Sequence, residues 1–215
     1  MLLEKMDEFF GNRAVGYDEH MLRDIEGAAE FYPYTASLLP KCGTILDLGC
    51  GTGLELEEYF AHGGSAEIVG IDLSDVMLTK LREKLGNKGI RLICGSYFDV
   101  PLGDERYDAA VSVESLHHFK PEEKRKLYKK LHGSLADGGY FILTDYFAES
   151  VELEGVYFRE LERLKREQGI HDGEFYHYDT PLTLEHECEI LSECGFSSVS
   201  LIKSWAATSL IKAVK

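Results

Sequence analysis

The sequence lacks the features that mark a secreted or membrane-spanning protein. No apolar run approaches the length of a transmembrane helix, and the first residues, MLLEKMDEFFGNR, mix charged side chains with apolar ones. The five cysteines are odd in number and form neither a CxxC pair nor a zinc-ligand spacing. We therefore expect reduced cysteines, a cytoplasmic location and no membrane partner.

Basic residues are also scarce. The chain has 23 Lys and Arg against 38 Asp and Glu, which gives a formal net charge of −15. A surface this negative repels a phosphate backbone, so no nucleic-acid partner is expected. The densest basic run, residues 120–130, includes two glutamates and is typical of a solvated helix face. The charge favours small substrates that are neutral or cationic.

Internal repeats and low-complexity segments are absent too, and 215 residues are typical of one domain. Between residues 44 and 146, short β-rich runs alternate with helical patterns, which predicts a doubly wound α/β sheet. The runs are mostly unbroken and apolar, as expected for parallel strands that are buried on both faces. Strands are predicted at 44–49, 67–72, 90–94, 107–113 and 140–147.

The pattern changes after residue 147. Residues 149–169 form one amphipathic helix, whose apolar stripe is predicted to contain Leu153, Val156, Tyr157, Leu161 and Leu164. A second helix, 183–196, stops at Gly195, and two β-patterned runs follow at a separation short enough for an antiparallel hairpin.

These patterns divide the single domain into four parts. The first forty residues are helical and aromatic-rich with no strand, which predicts a cap across the α/β body. The predicted parts are a helical cap (1–40), a cofactor-binding core (41–148), a helical and aromatic lid (149–181) and a closing helix with hairpin (182–215).

The stretch 44-TILDLGCGTGLELEEY-59 carries the strongest local signal. Its glycines, Gly49, Gly51 and Gly53, lie between a predicted strand and a predicted helix. The dinucleotide pattern GxGxxG is not met, because Leu54 stands at the third glycine's place. Carboxylates such as Glu55 in the helix's first turn would compete with a bound pyrophosphate. The pattern disfavours an NAD-dependent oxidoreductase and suits S-adenosylmethionine, which carries a sulfonium and no phosphate.

Asp72, at the end of the second predicted strand, is placed to accept hydrogen bonds from ribose hydroxyls. This position supports any ribosyl ligand and does not distinguish a nucleotide from S-adenosylmethionine.

Residues 44–147 resemble the class I S-adenosylmethionine-dependent methyltransferases. The resemblance is carried, in order and at normal spacing, by LDLGCGTG, IDLSDVML, CGSYFDVPL with YDAAVSVESLHHF, and GGYFILTDYF. CGF at 194–196 resembles the end of the family's closing helix. The resemblance as a whole implies a Rossmann-like, seven-stranded, mostly parallel sheet with an antiparallel C-terminal hairpin, and S-adenosylmethionine as cofactor.

The resemblance also implies cofactor contacts at the ends of four strands. These are Asp47, Gly49, Cys50, Gly51, Gly53, Asp72, Leu73, Ser96, Tyr97 and Val113. Asp72 would bind the ribose, and the backbone of the glycine turn with Asp47 would hold the methionine end. Family members often carry an aspartate at the place of Ser96, so the adenine contact is weakened here or shifts to Tyr97 or Asp99. Asp47 and Asp72 could instead be turn-capping carboxylates.

Residues that bind the methyl acceptor are expected where strands four and five end. The chain resembles the phosphoethanolamine methyltransferases here, with an acid at Glu114, a histidine at His118 and the spelling TDY at Asp145. In those enzymes a tyrosine of the cap pairs with the histidine, and Tyr17 is the corresponding candidate. We expect these four residues to converge on one pocket for an amine or other cationic acceptor. The alternatives are that His117 and His118 cap the next helix and that Tyr17 packs on the cofactor.

The loop 171–179 is rich in aromatic and histidine residues. His171, Asp172 and His177 lack the tight spacing of a metal motif, so an aromatic lid is expected and no metal. A module that binds S-adenosylmethionine or a nucleotide without catalysis is the remaining alternative function. The expected protein is a monomer or homodimer that acts on a small molecule.

Overall fold

Seven strands form one sheet in the order β3-β2-β1-β4-β5-β7-β6 in the computed structural model, which describes residues 1–171 and 173–215. The strands are β1 (Thr44–Leu48), β2 (Glu67–Asp72), β3 (Arg91–Cys94), β4 (Tyr107–Val113), β5 (Leu135–Tyr146), β6 (Ser198–Trp205) and β7 (Thr208–Val214). The first five pair in parallel, and β7 pairs antiparallel with both β5 and β6. The predicted doubly wound α/β fold with a C-terminal hairpin is confirmed.

Eight helices accompany this sheet among the described residues. They are α1 (Met6–Arg13), α2 (Tyr17–Asp24), α3 (Ala28–Ser37), α4 (Leu54–Ala61), α5 (Asp75–Leu85), α6 (Pro121–Ser134), α7 (Val151–Gln168) and α8 (Leu184–Glu193). A short 3₁₀ helix, Leu116–His118, follows β4. No helix in the described ranges combines the length and apolarity that crossing a membrane requires.

Two local predictions need correction. β5 begins at Leu135, five residues earlier than predicted, because a register shift between Tyr107 and Ala109 lets the strand run through the Gly138–Gly139 pair. Val156 does not lie on a buried stripe of α7, since 47% of it is exposed. The buried residue on that turn is Glu154, whose carboxylate accepts hydrogen bonds from the Thr183 N–H at 2.9 Å and binds the His186 ring at 2.8 Å.

The cap is joined to the lid by backbone hydrogen bonds. The Met6 N–H donates to the Phe175 carbonyl at 3.0 Å, and the His177 N–H donates to the Glu4 carbonyl at 3.0 Å. On the body side, the Thr35 and Thr144 hydroxyls form a buried hydrogen bond of 2.7 Å between α3 and β5. The cap therefore bridges the sheet and the lid above the carboxyl ends of the parallel strands. Asp172, named above as a metal-ligand candidate, lies outside the described residues.

A buried charge network fastens α8 to α6. The carboxylate of Glu187, which is fully buried, accepts hydrogen bonds from the Lys124 ammonium and from the Tyr128 hydroxyl. Both partners are themselves buried. Because an unpaired charge in such a place would have no compensating partner, the network holds only if all of its members are present.

We expect Glu187→Ala to lower the free energy of unfolding by about 3–5 kcal/mol, because it leaves the Lys124 ammonium buried and unpaired. Urea titration followed by circular dichroism would measure the change. Glu193→Ala on the same helix is the matched control: it breaks a surface pair with Arg125 and should cost less than about 1 kcal/mol. Equal costs for the two variants would contradict the network's structural role.

Candidate active site

The glycine turn between β1 and α4 is held closed by β2. Gly49, Gly51 and Gly53 have φ of 77°, 47° and 77°, a backbone region that L side chains rarely adopt. The N–H groups of Gly49 and Cys50 donate to the Ile71 carbonyl at 2.8 and 3.2 Å. A Cβ at Gly49 would lie 2.1 Å from the Ser115 Oγ, so this position also requires glycine for close approach of the turn that follows β4.

Asp72 orders the same turn with its side chain. Its carboxylate accepts hydrogen bonds from the Gly51 N–H at 2.9 Å and from the Ser74 N–H at 2.8 Å. Burial raises the pKa of Asp72, against the lowering effect of these backbone donors. The acid is therefore both a turn-capping group and a lining group of the adjacent cavity.

A first cavity, of about 600 Å³ including space open to solvent, lies at the point where the strand order reverses between β1 and β4. Its lining includes most of the predicted cofactor contacts, namely Gly49, Gly51, Asp72, Leu73, Ser96, Tyr97 and Val113. The cap contributes Met6, Phe10 and Tyr17, and the lid contributes Phe175. Two segments that are distant in the sequence, the cap and the lid, thus both line the cavity.

The structure places the other three predicted contacts outside this lining. The Cys50 thiol packs against Gly70 of β2, because a Cβ there would lie 2.8 Å from its sulfur. Gly53 begins α4 and lies against Leu81. Asp47 is buried behind the turn, with 1% of its surface exposed.

Asp47 faces another carboxyl group, that of Glu55, in the interior. Neither oxygen of Asp47 has a hydrogen-bond partner of good geometry among the described residues. Burial, and next the charge of Glu55, raise the pKa of Asp47 well above its ordinary range; burial also raises the pKa of Glu55. Two carboxylates this close cannot both ionise at low cost, so the pair retains a proton. Sequence reasoning named Glu55 only as a competitor for anions and missed this pairing.

A second cavity adjoins the first. It encloses about 1650 Å³, including space open to solvent, between α1, α2, the turn after β4 and the lid. Phe10, Tyr17, Glu114 and His118 line both cavities. These four side chains therefore form the boundary across which a group could pass from a ligand in one cavity to a ligand in the other.

Glu114 and Tyr17 are the polar groups of this boundary that hold or donate protons. Glu114 has φ of 49° and accepts a hydrogen bond from the Thr208 hydroxyl at 2.9 Å. Burial, and next the charge of Asp145, raise the pKa of Glu114 to about 7. Burial and the charge of Glu114 raise the pKa of Tyr17, so its hydroxyl stays protonated.

Asp145 is the one predicted acceptor-side residue that lines neither cavity. Its buried carboxylate accepts hydrogen bonds from the N–H groups of Leu116 and His117 at 2.9 and 3.0 Å, and it contacts His117 Nδ1 at 2.5 Å. Asp145 was expected to converge on the acceptor pocket, but it does not face the pocket. It contributes by positioning His117. Burial lowers the pKa of His117, but the charge and hydrogen bond of Asp145, together with the charges of Asp179 and Glu114, outweigh this and raise it.

His118 lies between the cavities and close to the lid. Burial, and next the charge of His117, lower the pKa of His118 to about 4, so the ring is neutral at pH 7. Asp179 of the lid lies 3.0 Å from its Nδ1. Asp179 also lines the second cavity, and sequence reasoning missed it, because no local pattern links it to a strand more than 60 residues away.

The site has the features of a Rossmann-like site for a cofactor that carries a nucleoside. These features are a glycine turn, an acid placed to bind a ribose, and a covered cavity where the strand order of the parallel sheet reverses. Residues 45–139 match the profile of the family described as Methyltransferase domain. An uncharacterized methyltransferase of Geobacillus sp. (strain WCH70) is 28% identical over 218 residues, covering 100% of this chain and 96% of the relative. The profile match and the relatives support assignment of the chain to the class I S-adenosylmethionine-dependent methyltransferases, with S-adenosylmethionine as the cofactor.

Two further relatives show the range of the similarity. A carboxy-S-adenosyl-L-methionine synthase of Campylobacter lari is 24% identical over 218 residues, covering 94% of this chain and 92% of the relative. A structure from Thermotoga maritima, described as a possible histamine N-methyltransferase, superposes with a TM-score of 0.68 at 19% identity, covering 98% and 99% of the two chains. The fold is shared along the whole length.

We expect Asp72→Asn to weaken binding of S-adenosylhomocysteine by about 1–3 kcal/mol, because ribose hydroxyls would lose a charged acceptor. Isothermal titration calorimetry measures the change directly. Asp75→Asn is the matched control, since Asp75 is exposed and does not line the cavity. Unchanged affinity in folded Asp72→Asn protein would remove Asp72 from the cofactor site.

The proton held by Asp47 predicts a pH dependence of stability. Because its pKa is raised in the folded state above an ordinary value near 3.8, the folded chain binds a proton that the unfolded chain releases. This group therefore makes the free energy of unfolding fall as pH rises above about 4, by up to about 1.4 kcal/mol per pH unit for one proton. Asp47→Asn cannot lose that proton, so its stability should decline less steeply.

Urea titrations of the unliganded wild type and of Asp47→Asn at pH 5, 6, 7 and 8 would measure both slopes. Parallel slopes would show that Asp47 ionises normally in the folded protein. Asp108→Asn, which changes an exposed acid hydrogen-bonded to Thr44, serves as the comparison for a carboxylate outside the buried pair.

Proposed function

We propose that the protein transfers a methyl group from S-adenosylmethionine in the first cavity to a small-molecule acceptor in the second. The observation that carries this proposal is the shared boundary of Phe10, Tyr17, Glu114 and His118. Methyl transfer is an in-line displacement at the sulfonium methyl, so donor and acceptor must meet through one opening. Cofactor and acceptor cavities that share a wall meet this requirement.

We assign each part of the cofactor to residues at the ends of the predicted strands. Asp72 accepts the ribose hydroxyls, Leu73 packs on the adenine, and Ser96 and Tyr97 lie at the adenine end. The Gly49–Gly53 turn and the Val113 carbonyl receive the methionine end. Asp47 acts behind the turn, through its pairing with Glu55, because its carboxyl does not line the cavity.

The charges of the second cavity favour a cationic or amine acceptor. Glu26 and Glu114 contribute carboxylates to its lining, whereas Asp24 there is already paired with Arg23 at 2.8 Å and the guanidinium of Arg13 is bound to Glu4 at 3.0 Å. An anionic acceptor would meet uncompensated negative charge. The name of the Thermotoga protein adds no weight, because a likeness at 19% identity extends to the fold alone.

Glu114 is the acidic group best placed to act on the acceptor. It is the carboxylate that lines both cavities, and Thr208 fixes its orientation. It can bind a cationic nitrogen and receive its proton, a role that the raised pKa supports and that His118, neutral and a weak base, fills less well. Tyr17 orients the acceptor as a hydrogen-bond donor, and Asp145 positions the turn from behind.

The remaining assignments are broader. The described cysteines are free thiols, which fits the cytoplasmic location expected from the sequence. A monomer or homodimer acting on a small molecule, without a nucleic-acid or membrane partner, remains our expectation.

A screen of small amines, carboxylates and phenols for release of S-adenosylhomocysteine would identify the acceptor class. We expect turnover with an amine. Mass spectrometry of the cofactor product separates this activity from that of the Campylobacter relative: accumulation of carboxy-S-adenosylmethionine instead of S-adenosylhomocysteine would contradict the proposal.

With the acceptor in hand, Glu114→Gln should lower kcat by about 10²-fold or more, because the amide neither attracts a cation by charge nor accepts its proton. Affinity for S-adenosylhomocysteine, measured by calorimetry, should change much less. Glu57→Gln is the control, since Glu57 is exposed and outside both linings. A Glu114→Gln enzyme that keeps wild-type kcat would remove Glu114 from the acceptor site.

A further inference from the structure

Asp179 of the lid is surrounded by three imidazole rings that come from two distant parts of the chain. Its Oδ1 lies 3.0 Å from His118 Nδ1, 3.7 Å from His117 Nε2 and 3.7 Å from His177 Nε2. One ligand atom each from His117, His118 and Asp179 lies within 4.8 Å of the others, so a single ion could contact all three. The cluster belongs to the wall of the second cavity.

The spacing of these atoms suits a small transition-metal ion. Zinc–ligand bonds of about 2.0–2.2 Å in a tetrahedron place neighbouring ligand atoms roughly 3.4 Å apart. The separations of 3.0 and 3.7 Å from Asp179 Oδ1 fall on either side of that value. Small side-chain adjustments would therefore close the site around an ion.

Three polar atoms of the cluster also lack hydrogen bonds. Both ring nitrogens of His118 and the Oδ1 of Asp179 are buried and have no hydrogen-bond partner of good geometry among the described residues. The side chain of His118 is only 3% exposed. A buried polar group without a partner costs free energy, and an ion would remove that cost for both residues.

The surroundings orient the candidate ligands. Asp145 contacts His117 Nδ1 at 2.5 Å, which turns the other ring nitrogen, Nε2, toward Asp179. A carboxylate bound to the far nitrogen of a histidine ligand is a common arrangement in metal sites, because it fixes the ring and raises its basicity.

We propose that His117, His118 and Asp179 bind one divalent transition-metal ion of the zinc type, with His177 as the neighbouring fourth candidate. Imidazole-rich sites with one carboxylate suit Zn²⁺ and related first-row ions, whereas Mg²⁺ prefers oxygen ligands. From the sequence no metal was expected, because these ligands come from the turn after β4 and from the lid and have no motif spacing.

The ion would connect the lid to the sheet. The Thr180 N–H already donates to the His117 carbonyl at 2.8 Å, so the lid reaches the turn after β4 at this point. A metal bound to Asp179 would fix the lid where it forms one wall of the second cavity. This inference does not rest on the identity of the acceptor or on methyl transfer.

Metal binding can be measured on the full chain without an activity assay. Protein treated with EDTA and dialysed should take up one Zn²⁺ per chain in calorimetry and elemental analysis, and Mg²⁺ should produce no binding heat. Co²⁺ should give visible absorption bands of nitrogen and oxygen ligation. Thiolate-to-cobalt charge-transfer bands would place the ion at cysteines and overturn the proposal, as would the absence of any Zn²⁺ uptake.

Variants then locate the ion. His118→Gln and Asp179→Asn should each weaken Zn²⁺ binding by at least about 10-fold, the lower end of the loss seen even when only a partner of a metal ligand is changed. His62→Gln, on the exposed end of α4, is the matched control. Circular dichroism and the thermal shift with S-adenosylhomocysteine confirm that each variant is folded. Zn²⁺ affinity that is unchanged in both folded variants would overturn the assignment.

Discussion

The acceptor side of the site depends on the hydrogen bonds that the buried carboxylate of Asp145 accepts. This carboxylate accepts hydrogen bonds from two consecutive N–H groups after β4 and holds the His117 ring as well. These bonds stop the chain from continuing as a strand and turn it into the short 3₁₀ helix. Glu114, with a positive φ, lies at the start of this turn, so Asp145, which lines neither cavity, helps to place its backbone, while Thr208 orients its carboxylate.

The cofactor side follows a similar plan, with a carboxylate at the end of β2. Asp72 accepts the Gly51 N–H, and the backbone of β2 accepts the N–H groups of Gly49 and Cys50. The turn is therefore built before any ligand is present, and binding need not supply the free energy of ordering it. The two cavities are closed differently: cap and lid meet through backbone hydrogen bonds, such as that from Met6 to Phe175, and through side-chain contacts, such as the stacking of Phe9 on His177.

The fold and the cofactor half of the site could be predicted because their signals are local. Gly49, Gly51 and Asp72 sit at strand ends within one βαβ unit, and the cavity indeed lies beside them. The acceptor half depends on contacts between distant segments. The positions of Asp145 behind His117, of Glu55 against Asp47 and of Asp179 beside His118 follow from packing, and no spacing in the sequence encodes them. Val156 was misplaced for a related reason, since the hydrogen bonds of Glu154 bury that residue in the first turns of α7, whereas Leu161 and Leu164 are buried as predicted.

The distribution of charge reconciles a cationic acceptor with a metal ion in the same wall. Asp179 and its imidazoles form one group at the lid, whereas Asp24, Glu26 and Glu114 lie on the cap side and at the end of β4. An ion held by Asp179 would draw on that carboxylate and leave Glu26 and Glu114 to attract the acceptor. The net negative charge of the chain works in the same direction, because it raises the local concentration of cations near the opening. In the proposed function, a sheet of ordinary topology thus gains its selectivity from the cap, the lid and the turn after β4.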